Sequence, residues 1–217
     1  MGREFDKTLV VVPARGGSKR IPKKNTKIIN GQPMMYWPLM ELSNFFSSKN
    51  ILVSTDSDEI KKLAESKGLI VPFRRPAKLS DDHTSISEVV THSLKWFEEH
   101  NYTVDYVLTI YPTAVLLSNE DIFDAMNLLK LDVNADSILS AATYPHPIQR
   151  AIFKNDKGYA ELFEPSNHPK RSQDLVEAMH HAGHFNLSKS KSVRNGDRLI
   201  NSNVLTKIIK RSKVIDI

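Results

Sequence analysis

The feature that most constrains this chain is an apolar run that ends abruptly in a glycine-containing, cation-rich turn. Residues 9–12 read Leu-Val-Val-Val, and Pro13 follows them. An uninterrupted β-branched run of this length is typical of a strand buried on both faces of a parallel sheet. Proline cannot donate to a strand ladder, so Pro13 predicts where the strand ends. We therefore expect a loop at the carboxyl end of this strand.

That loop has the composition of a phosphate-binding loop. Gly16 and Gly17 allow the backbone to approach a ligand closely. Five cations lie within ten residues, namely Arg15, Lys19, Arg20, Lys23 and Lys24. Cationic donors of this kind suit phosphate oxygens, although a solvated basic turn is the alternative. Neither Gly-x-x-x-x-Gly-Lys-Ser/Thr nor Gly-x-Gly-x-x-Gly occurs in the chain, so the P-loop and the dinucleotide fingerprint are excluded.

Length and composition indicate one domain. The chain has 217 residues, of which 40% are hydrophobic, enough for one good core. It has no Cys, which excludes a disulfide framework and a thiolate metal site. The first six residues include acidic side chains and lack an apolar segment, and no run approaches the roughly 20 apolar residues of a membrane span. We expect a cytoplasmic protein without a membrane partner.

The charge distribution favours small anionic substrates. The formal net charge is +5, which raises nucleic acid as a possible partner. The cations are concentrated at residues 15–24, 74–75 and 189–213, without interleaved aromatic residues for base stacking. We therefore predict no nucleic-acid partner.

Strands and helices alternate along the first two thirds of the chain. Apolar runs predict strands at residues 9–12, 51–56, 69–71, 106–111 and 137–143. Helical spacing predicts helices at residues 32–46, 58–67, 86–100 and 119–129. Thr84 or Ser85 is the expected N-cap of the third helix, and Glu88 would complete a capping box with Ser85. Pro38 would lie inside the first helix and could kink it. The alternation predicts an α/β fold that is Rossmann-like, with a mostly parallel sheet and helices on both faces.

The pattern changes after residue 144. Two short extended segments surround a turn at residues 155–158, which predicts a hairpin. A helix is predicted at 172–181, an extended segment at 182–187, and a basic helix end followed by a strand at 208–217. We interpret residues 1–217 as a single domain with an inserted excursion at 145–187.

Five blocks in this order resemble one family. They comprise residues 13–25, residues 54–60, residues 75–82, residues 110–114, and the pair 147–151 with 171–175. The set is similar to the CMP-nonulosonate synthetases, the acylneuraminate cytidylyltransferase family, whose fold is of the nucleotide-diphospho-sugar transferase type. Tyr111 stands where the sialic acid enzymes typically carry Gln, which places the chain nearest the pseudaminic acid branch.

The resemblance implies a reaction and its partners. CMP would pass from CTP to a 2-keto nonulosonic acid, with pseudaminic acid the first choice, and pyrophosphate would leave. Legionaminic, sialic and 3-deoxy-manno-octulosonic acids are the alternative acceptors, and a catalytically impaired nucleotide-binding relative is a further alternative. The family also implies Mg²⁺ and a homodimer, in which the excursion completes the neighbour's sugar pocket; a local flap over the chain's own site is the alternative.

The resemblance also assigns roles to individual residues. Arg15, Lys19 and Lys24 would hold phosphates and act in catalysis. The nucleotide-binding set would be Ala14, Arg15, Gly16, Gly17, Asn25, Arg75, Thr84 and Ser85. The sugar-binding set would be Tyr111, Gln149, Arg150, Arg171, Gln173 and His184. Residues 181–187 read His-Ala-Gly-His-Phe-Asn-Leu, which departs from the branch pattern Asp-Ala-Gly-Gln-Phe-Tyr-Trp and leaves the sugar open.

Metal binding is expected at the end of the chain. Asp216 matches the first of two family aspartates, and the second, a magnesium ligand, would follow Ile217. Either the chain is truncated or metal binding is altered, and an impaired relative therefore stays open. His146, His180, His181 and His184 lack the His-Glu-x-x-His form and any Cys partner, so we do not expect zinc.

Overall fold

A computed structural model of the chain describes residues 7–100, 102–197, 200 and 203–215. Six strands form the main sheet: β1 (Thr8–Pro13), β4 (Ile51–Ser54), β5 (Tyr106–Ile110), β6 (Ser137–Thr143), β9 (Met179–Lys189) and β10 (Val204–Ile208). Two hairpins pair β2 (Ile28–Ile29) with β3 (Gln32–Pro33), and β7 (Ile152–Lys154) with β8 (Ala160–Leu162). The α-helices are α1 (Tyr36–Ser43), α2 (Asp58–Glu65), α3 (Ile86–Glu99), α4 (Asn119–Leu131) and α5 (Ser190–Arg194).

The main sheet is mostly parallel, as predicted. Its strand order is β10-β6-β9-β5-β1-β4. Only β9 among these strands runs antiparallel to its neighbours, pairing with both β5 and β6. The chain leaves β1 for β4 on one side and returns to β5 on the other, so β1 lies at the topological switch point. In open α/β sheets, ligands bind outside the carboxyl ends of the strands at this point.

Helices cover both faces of the sheet, which explains the uninterrupted apolar run of β1. Val10 and Val12 face a core that is completed by side chains of α1, α2 and α4. Leu9 and Val11 face the opposite side, where α3 supplies most of the apolar surface and α5 adds Val193. Successive side chains of a strand point to opposite faces, so a strand covered twice must be apolar at every position.

The region before α1 differs from the prediction. The predicted helix at 32–46 begins only at Tyr36, because Gln32–Pro33 pairs with β2 around Asn30 and Gly31, whose φ angles are 49° and 78°. Pro38 then lies in the first turn of α1, where a missing N–H leaves no hydrogen bond unmade, so no kink is needed. The predicted strand at 69–71 is reduced to an isolated bridge between Ile70 and Leu52.

Two predictions in the last third were wrong. The predicted helix at 172–181 is a single 3₁₀ turn at Ser172–Asp174 followed by β9, because the first residues of β9 pair with β6 instead. The predicted basic helix end near 208 is the end of β10 and a 3₁₀ turn at Arg211–Lys213. Of the predicted strand at 214–217, Val214 and Ile215 lie in no regular element, and residues 216–217 lie outside the described residues. The hairpin at 155–158 is confirmed as β7–β8.

Candidate functional site

Two adjoining cavities open at the carboxyl ends of β1, β4 and β5. The first, of about 290 Å³, lies between the loop that follows β1 and the loop that precedes α3. The second, of about 560 Å³, is bordered by β9 and by Val214 and Ile215. Lys24, Tyr111 and Thr113 line both cavities. The site therefore lies at the switch point of the sheet.

The loop after β1 is held by hydrogen bonds to neighbouring segments. The Ala14 N–H donates to the Ser54 carbonyl over 2.9 Å, and the Gly16 N–H donates to Asp56 Oδ1 over 2.8 Å. The buried Asn25 donates from Nδ2 to the Arg15 carbonyl over 2.9 Å. These contacts fix the course of the backbone. Of the loop's cations, Arg15 and Lys24 line the first cavity and Arg20 and Lys24 line the second, whereas Lys23 pairs with Glu59.

Only one of the two glycines is sterically required. A Cβ on Gly16 would lie 2.9 Å from Ser57 Cβ, closer than real Cβ atoms approach, whereas a Cβ on Gly17 would meet nothing within 4 Å. Gly16 therefore permits the close approach of the loop to the start of α2. Gly17 has room for a side chain.

Arg15, which lines the first cavity, and Lys19, which is exposed beside it, both contact the loop that precedes α3. Arg15 Nη1 donates to the Asp81 carbonyl over 2.9 Å and to Asp82 Oδ1 over 2.8 Å. Lys19 forms an ion pair with the same Asp82 carboxylate. Hydrogen bonds from Lys19 and then Arg15 hold the pKa of Asp82 below its usual range. A phosphate in the cavity would therefore compete with the Asp82 carboxylate for Arg15 and Lys19.

Arg75 places a buried cation below the first cavity. Its Nε donates to Ser54 Oγ over 3.1 Å, its guanidinium also donates to the Ser54 carbonyl, and only 5% of the residue is exposed. Burial lowers the pKa of Arg75, while the nearby Asp56 raises it. Because arginine is not deprotonated in proteins, the positive charge persists and can attract an anion into the cavity.

Asp81 shapes the loop that faces these cations. Its Oδ1 accepts hydrogen bonds from the His83 and Thr84 backbone N–H groups and from the Thr84 hydroxyl, at 2.7 to 2.9 Å. These bonds lower the pKa of Asp81, and the bond from the Thr84 hydroxyl has the largest effect. Thr84 lines the first cavity. The Ser85 hydroxyl instead serves the helix, since Ser85 and Glu88 form the predicted capping box of α3.

Tyr111 stands between the two cavities. Its backbone N–H donates to the His184 carbonyl over 3.0 Å, and its hydroxyl accepts from Asn186 Nδ2 over 3.2 Å. The Tyr111 and His181 rings meet edge to face, with centroids 5.2 Å apart. Burial raises the pKa of Tyr111, so its hydroxyl keeps its proton at neutral pH.

Sequence reasoning missed Asn186 and His181 in this cluster. The sequence analysis considered His181 by itself only as a poor zinc candidate, and it included Asn186 only within the segment at 181–187. Both belong to β9, whose register against β6 shifts between Leu139 and Ala141, so their neighbours do not follow from simple alternation. Their spacing in the segment at 181–187 was the only signal available.

His184 lies apart from the cavity surfaces. Only 2% of it is exposed, and its Nε2 is 3.0 Å from the Lys213 carbonyl, to which it donates. Burial lowers the pKa of His184, and its Nδ1 has no hydrogen-bond partner among the described residues. His184 therefore joins β9 to the segment after β10 rather than facing a ligand.

The other sugar-site candidates lie in the excursion. Gln149 Nε2 donates to the Val176 carbonyl over 2.8 Å, and Arg150 Nη1 donates to Ser172 Oγ over 3.3 Å. Arg171 donates twice to its neighbour Asp174, over 2.8 and 3.0 Å. Within the described ranges these three residues and Gln173 do not line either cavity, so the single chain does not bring them to Tyr111.

A complete metal site is not formed by the described residues. Across residues 7–100, 102–197, 200 and 203–215, no group of three or more His, Cys, Asp or Glu side chains could hold a metal ion. The expected ligand Asp216 lies outside these residues. Mg²⁺ is commonly held by one or two carboxylates together with substrate phosphates, so a site of this kind would need the nucleotide.

An α/β sheet with a cation-rich, glycine-containing loop at its switch point is typical of nucleotide-binding enzymes. A match to a protein family narrows this broad class of nucleotide-binding enzymes. Residues 9–193 match the family described as cytidylyltransferase, and the chain belongs to that family. It is therefore a nucleotidyltransferase enzyme.

Relatives agree with this membership. A pseudaminic acid cytidylyltransferase of Campylobacter jejuni is 34% identical over 212 residues, which cover 97% of this chain and 90% of the relative. A CMP-N,N'-diacetyllegionaminic acid synthase of Legionella pneumophila is 33% identical over 62% of this chain and 57% of that relative. An N-acylneuraminate cytidylyltransferase of Streptococcus agalactiae is 28% identical over 86% of this chain and 44% of that relative.

Solved structures show the same fold. A CMP:2-keto-3-deoxy-manno-octonic acid synthetase complexed with CTP has a TM-score of 0.65 at 16% identity, covering 94% of this chain and 90% of that one. A 4-diphosphocytidyl-2C-methyl-D-erythritol synthase from Anaerococcus prevotii has a TM-score of 0.60 at 12% identity, covering 98% of this chain and 93% of that one. The predicted fold class is confirmed.

Proposed function

We propose that this enzyme transfers CMP from CTP to a 2-keto nonulosonic acid, that the acceptor is pseudaminic acid, and that the products are CMP-sugar and pyrophosphate. The observation that carries the proposal is the cationic first cavity, lined by Arg15, Lys24 and Arg75, beside a second cavity across Tyr111. The choice of sugar follows the relative that is 34% identical over nearly the whole chain.

In this proposal the first cavity holds CTP. Arg15, Lys19 and Lys24 bind the phosphates, and the backbone N–H of Gly17 donates to the same oxygens. Ala14 and Gly16, whose N–H groups already donate to Ser54 and Asp56, set the course of the loop around the nucleotide. Asn25, Arg75, Thr84 and Ser85 complete the nucleotide site. When CTP binds, Arg15 and Lys19 exchange their ion pairs with the Asp82 carboxylate for contacts to the triphosphate, which carries more negative charge.

The chemistry requires positioning and charge neutralisation rather than a covalent intermediate. The anomeric hydroxyl oxygen of the sugar attacks the α-phosphorus in line and forms the new P–O bond, and the hydroxyl proton is released to solvent. The bond from that phosphorus to the bridging oxygen breaks, and both electrons leave with pyrophosphate. Negative charge grows on the departing group, where Arg15, Lys19 and Lys24 would neutralise it.

Mg²⁺ fits the donors that surround the proposed phosphate position. The Asp56 carboxylate lines a neighbouring cavity that shares Arg75 and Asp81 with the first cavity, and it accepts the Gly16 N–H through Oδ1. Asp216 is the proposed second carboxylate. Hard oxygen ligands and phosphates are what Mg²⁺ prefers. When bound, the ion would supply further neutralisation of the phosphate charge.

The second cavity is proposed to hold the sugar, with Tyr111 as its first contact. Gln149, Arg150, Arg171 and Gln173 remain proposed sugar contacts, and they would approach from a partner's excursion. We leave His184 out of the contact set, because its ring is buried against Lys213.

The excursion also supports a homodimer. Its exposed apolar side chains include Ile152 (64% exposed), Tyr159 (70%), Phe163 (65%) and Val176 (81%). Several large apolar groups exposed in one small region are typical of an interaction surface. A second copy of this chain is the proposed partner, in line with the family resemblance.

One structural feature bears on where in the cell the protein could lie. In the part of the chain that the structure describes, no helix is both long and apolar enough to cross a membrane. The cytoplasmic location stays a prediction from the sequence.

The test is pyrophosphate release from CTP with a panel of acidic sugars. We expect release with pseudaminic acid and a much lower kcat/KM with legionaminic, sialic and 3-deoxy-manno-octulosonic acids. Preference for another member of the panel would replace the proposed sugar and keep the reaction. Tight CTP binding with no release for any sugar, with Mg²⁺ present, would instead identify an impaired relative.

A further inference from the structure

Strand β9 holds Tyr111 at two points. The Tyr111 N–H donates to the His184 carbonyl over 3.0 Å, and the Tyr111 hydroxyl is 3.2 Å from Asn186 Nδ2. Gly183, with a φ of 71°, comes just before these two contacts, in the irregular part of β9 that follows His181. The hydroxyl is thereby fixed where the two cavities meet.

The direction of the hydrogen bonds around Tyr111 is set by Gly183. The Gly183 backbone N–H lies 2.9 Å from His181 Nδ1. A backbone N–H can only donate, so Nδ1 must carry a lone pair. The proton of the neutral His181 ring is therefore on Nε2.

The same logic extends from His181 to Tyr111. His181 Nε2 is 2.9 Å from Asn186 Oδ1 and donates to it, which turns the amide nitrogen toward Tyr111. An amide nitrogen also only donates, so the Tyr111 oxygen accepts from Asn186. Asn186 is 4% exposed, so water does not compete freely for its amide. The proton of the Tyr111 hydroxyl must consequently point to another acceptor.

We propose that Asn186 is a positioning residue for the acceptor sugar: its amide occupies a lone pair of the Tyr111 hydroxyl, so that this hydroxyl donates its proton to an oxygen of the sugar. The inference rests on the proposed function, because it requires an acidic sugar in the second cavity. Arg20 and Lys24 line that cavity and favour an anionic group. The sugar carboxylate is the strongest acceptor available, since hydrogen bonds to a charged oxygen are the stronger ones.

The sharpest variant is Asn186→Asp, which keeps the shape of the side chain and reverses one hydrogen bond. A carboxylate accepts from both His181 Nε2 and the Tyr111 hydroxyl, so the hydroxyl no longer has a proton for the sugar. We expect the KM for the sugar to rise roughly 10- to 100-fold, as for the loss of a hydrogen bond to a charged group. The KM for CTP should change less than about twofold.

Tyr111→Phe removes the same donor without changing Asn186. It should raise the KM for the sugar by a similar factor, and the double variant should be no worse than either single variant, because both act through one hydrogen bond. Tyr106→Phe is the matched control, since Tyr106 lies at the other end of β5. Additive effects, or an Asn186→Asp enzyme with the wild-type KM for the sugar, would overturn the proposal.

A second measurement does not depend on the variants folding or on the sugar being correct. The ¹⁵N chemical shifts of His181 in the unliganded wild-type protein report which ring nitrogen carries the proton. We expect an unprotonated Nδ1, and a neutral ring protonated on Nδ1 would contradict the chain of bonds. If the wild-type enzyme uses no keto-sugar acid, the proposed function fails, and the tautomer still decides whether Asn186 orients Tyr111.

Discussion

Gly16 and Gly17 are adjacent and alike in the sequence, yet they differ in the space available to a side chain. We predict that Gly16→Ala weakens CTP binding roughly 10- to 100-fold, because a Cβ 2.9 Å from Ser57 Cβ must displace the loop that carries Arg15. The measurement is the Kd for CTP by calorimetry.

Gly17→Ala is the matched control for this prediction. The new Cβ would meet nothing within 4 Å, so the Kd should change by no more than about twofold. Equal effects of the two substitutions would show that the approach of Gly16 to Ser57 does not shape the site.

His184 should make the stability depend on pH. Burial lowers its pKa from the usual 6.5, so below that pH the unfolded state binds a proton that the folded state resists. Stability is therefore retained above pH 6.5 and lost as the pH falls, by at most about 1.4 kcal/mol per pH unit for this residue. Urea unfolding between pH 7.5 and 5.5 should show a smaller loss in His184→Gln than in the wild type.

The exposed His146 provides the comparison. His146→Gln should keep the wild-type pH dependence, because the side chain is exposed and is not buried between elements as His184 is. An unchanged slope in His184→Gln would contradict the assignment of the acid-sensitive group.

The sequence could predict those residues of the candidate site that directly follow a motif. It could not predict the residues that strand register brings together. Arg15, Lys24 and Asn25 follow one strand end directly, and the structure places all three around the first cavity. Asn186 and His181 reach Tyr111 because β9 shifts register beside β6, which no local pattern encodes. His184 was chosen from the same segment, but its side chain is buried against Lys213.

At the scale of elements, the start of α3 is fixed by the capping box of Ser85 and Glu88. Ser85 Oγ accepts from the Glu88 N–H over 3.2 Å, and Glu88 Oε2 accepts from the Ser85 N–H over 2.8 Å. We predict that Ser85→Ala costs about 1 kcal/mol of unfolding free energy through the lost cap. Urea denaturation measures this loss, and Ser85→Thr should recover most of it. An equally unstable Ser85→Thr would contradict the capping role.

Element prediction succeeded where local signals agree with the fold. The capping box and apolar spacing of α3 predicted its start at Ile86, and β1 follows from its apolar run. The predicted helix at 172–181 was wrong because pairing of Met179, His180 and His181 with β6 overrides the local helical pattern. The late start of α1 has the same cause on a smaller scale, since β3 pairs with β2 first.

At the scale of the whole molecule, the excursion is proposed to join two copies. We predict that Phe163→Glu, which puts a charge on a 65% exposed aromatic position, shifts the protein from dimer to monomer. Turnover should fall with it, because the partner's excursion is proposed to complete the sugar site. Sedimentation velocity measures the oligomeric state.

Leu131→Glu is the control, because Leu131 is 82% exposed at the end of α4, outside the excursion. It should remain dimeric and active. A wild-type protein that is monomeric and active at assay concentrations would contradict the shared site and favour a local flap.

The most direct test of the central claim is sugar-dependent pyrophosphate release by a variant in which Arg15 and Lys24 are both alanine. The charge-matched control replaces Lys49 and Lys62, two exposed lysines outside both cavities. The account predicts that Arg15→Ala with Lys24→Ala lowers kcat/KM for CTP by roughly 10³-fold or more, while the control keeps nearly wild-type turnover. A folded Arg15→Ala, Lys24→Ala enzyme that releases pyrophosphate at the wild-type rate would contradict it.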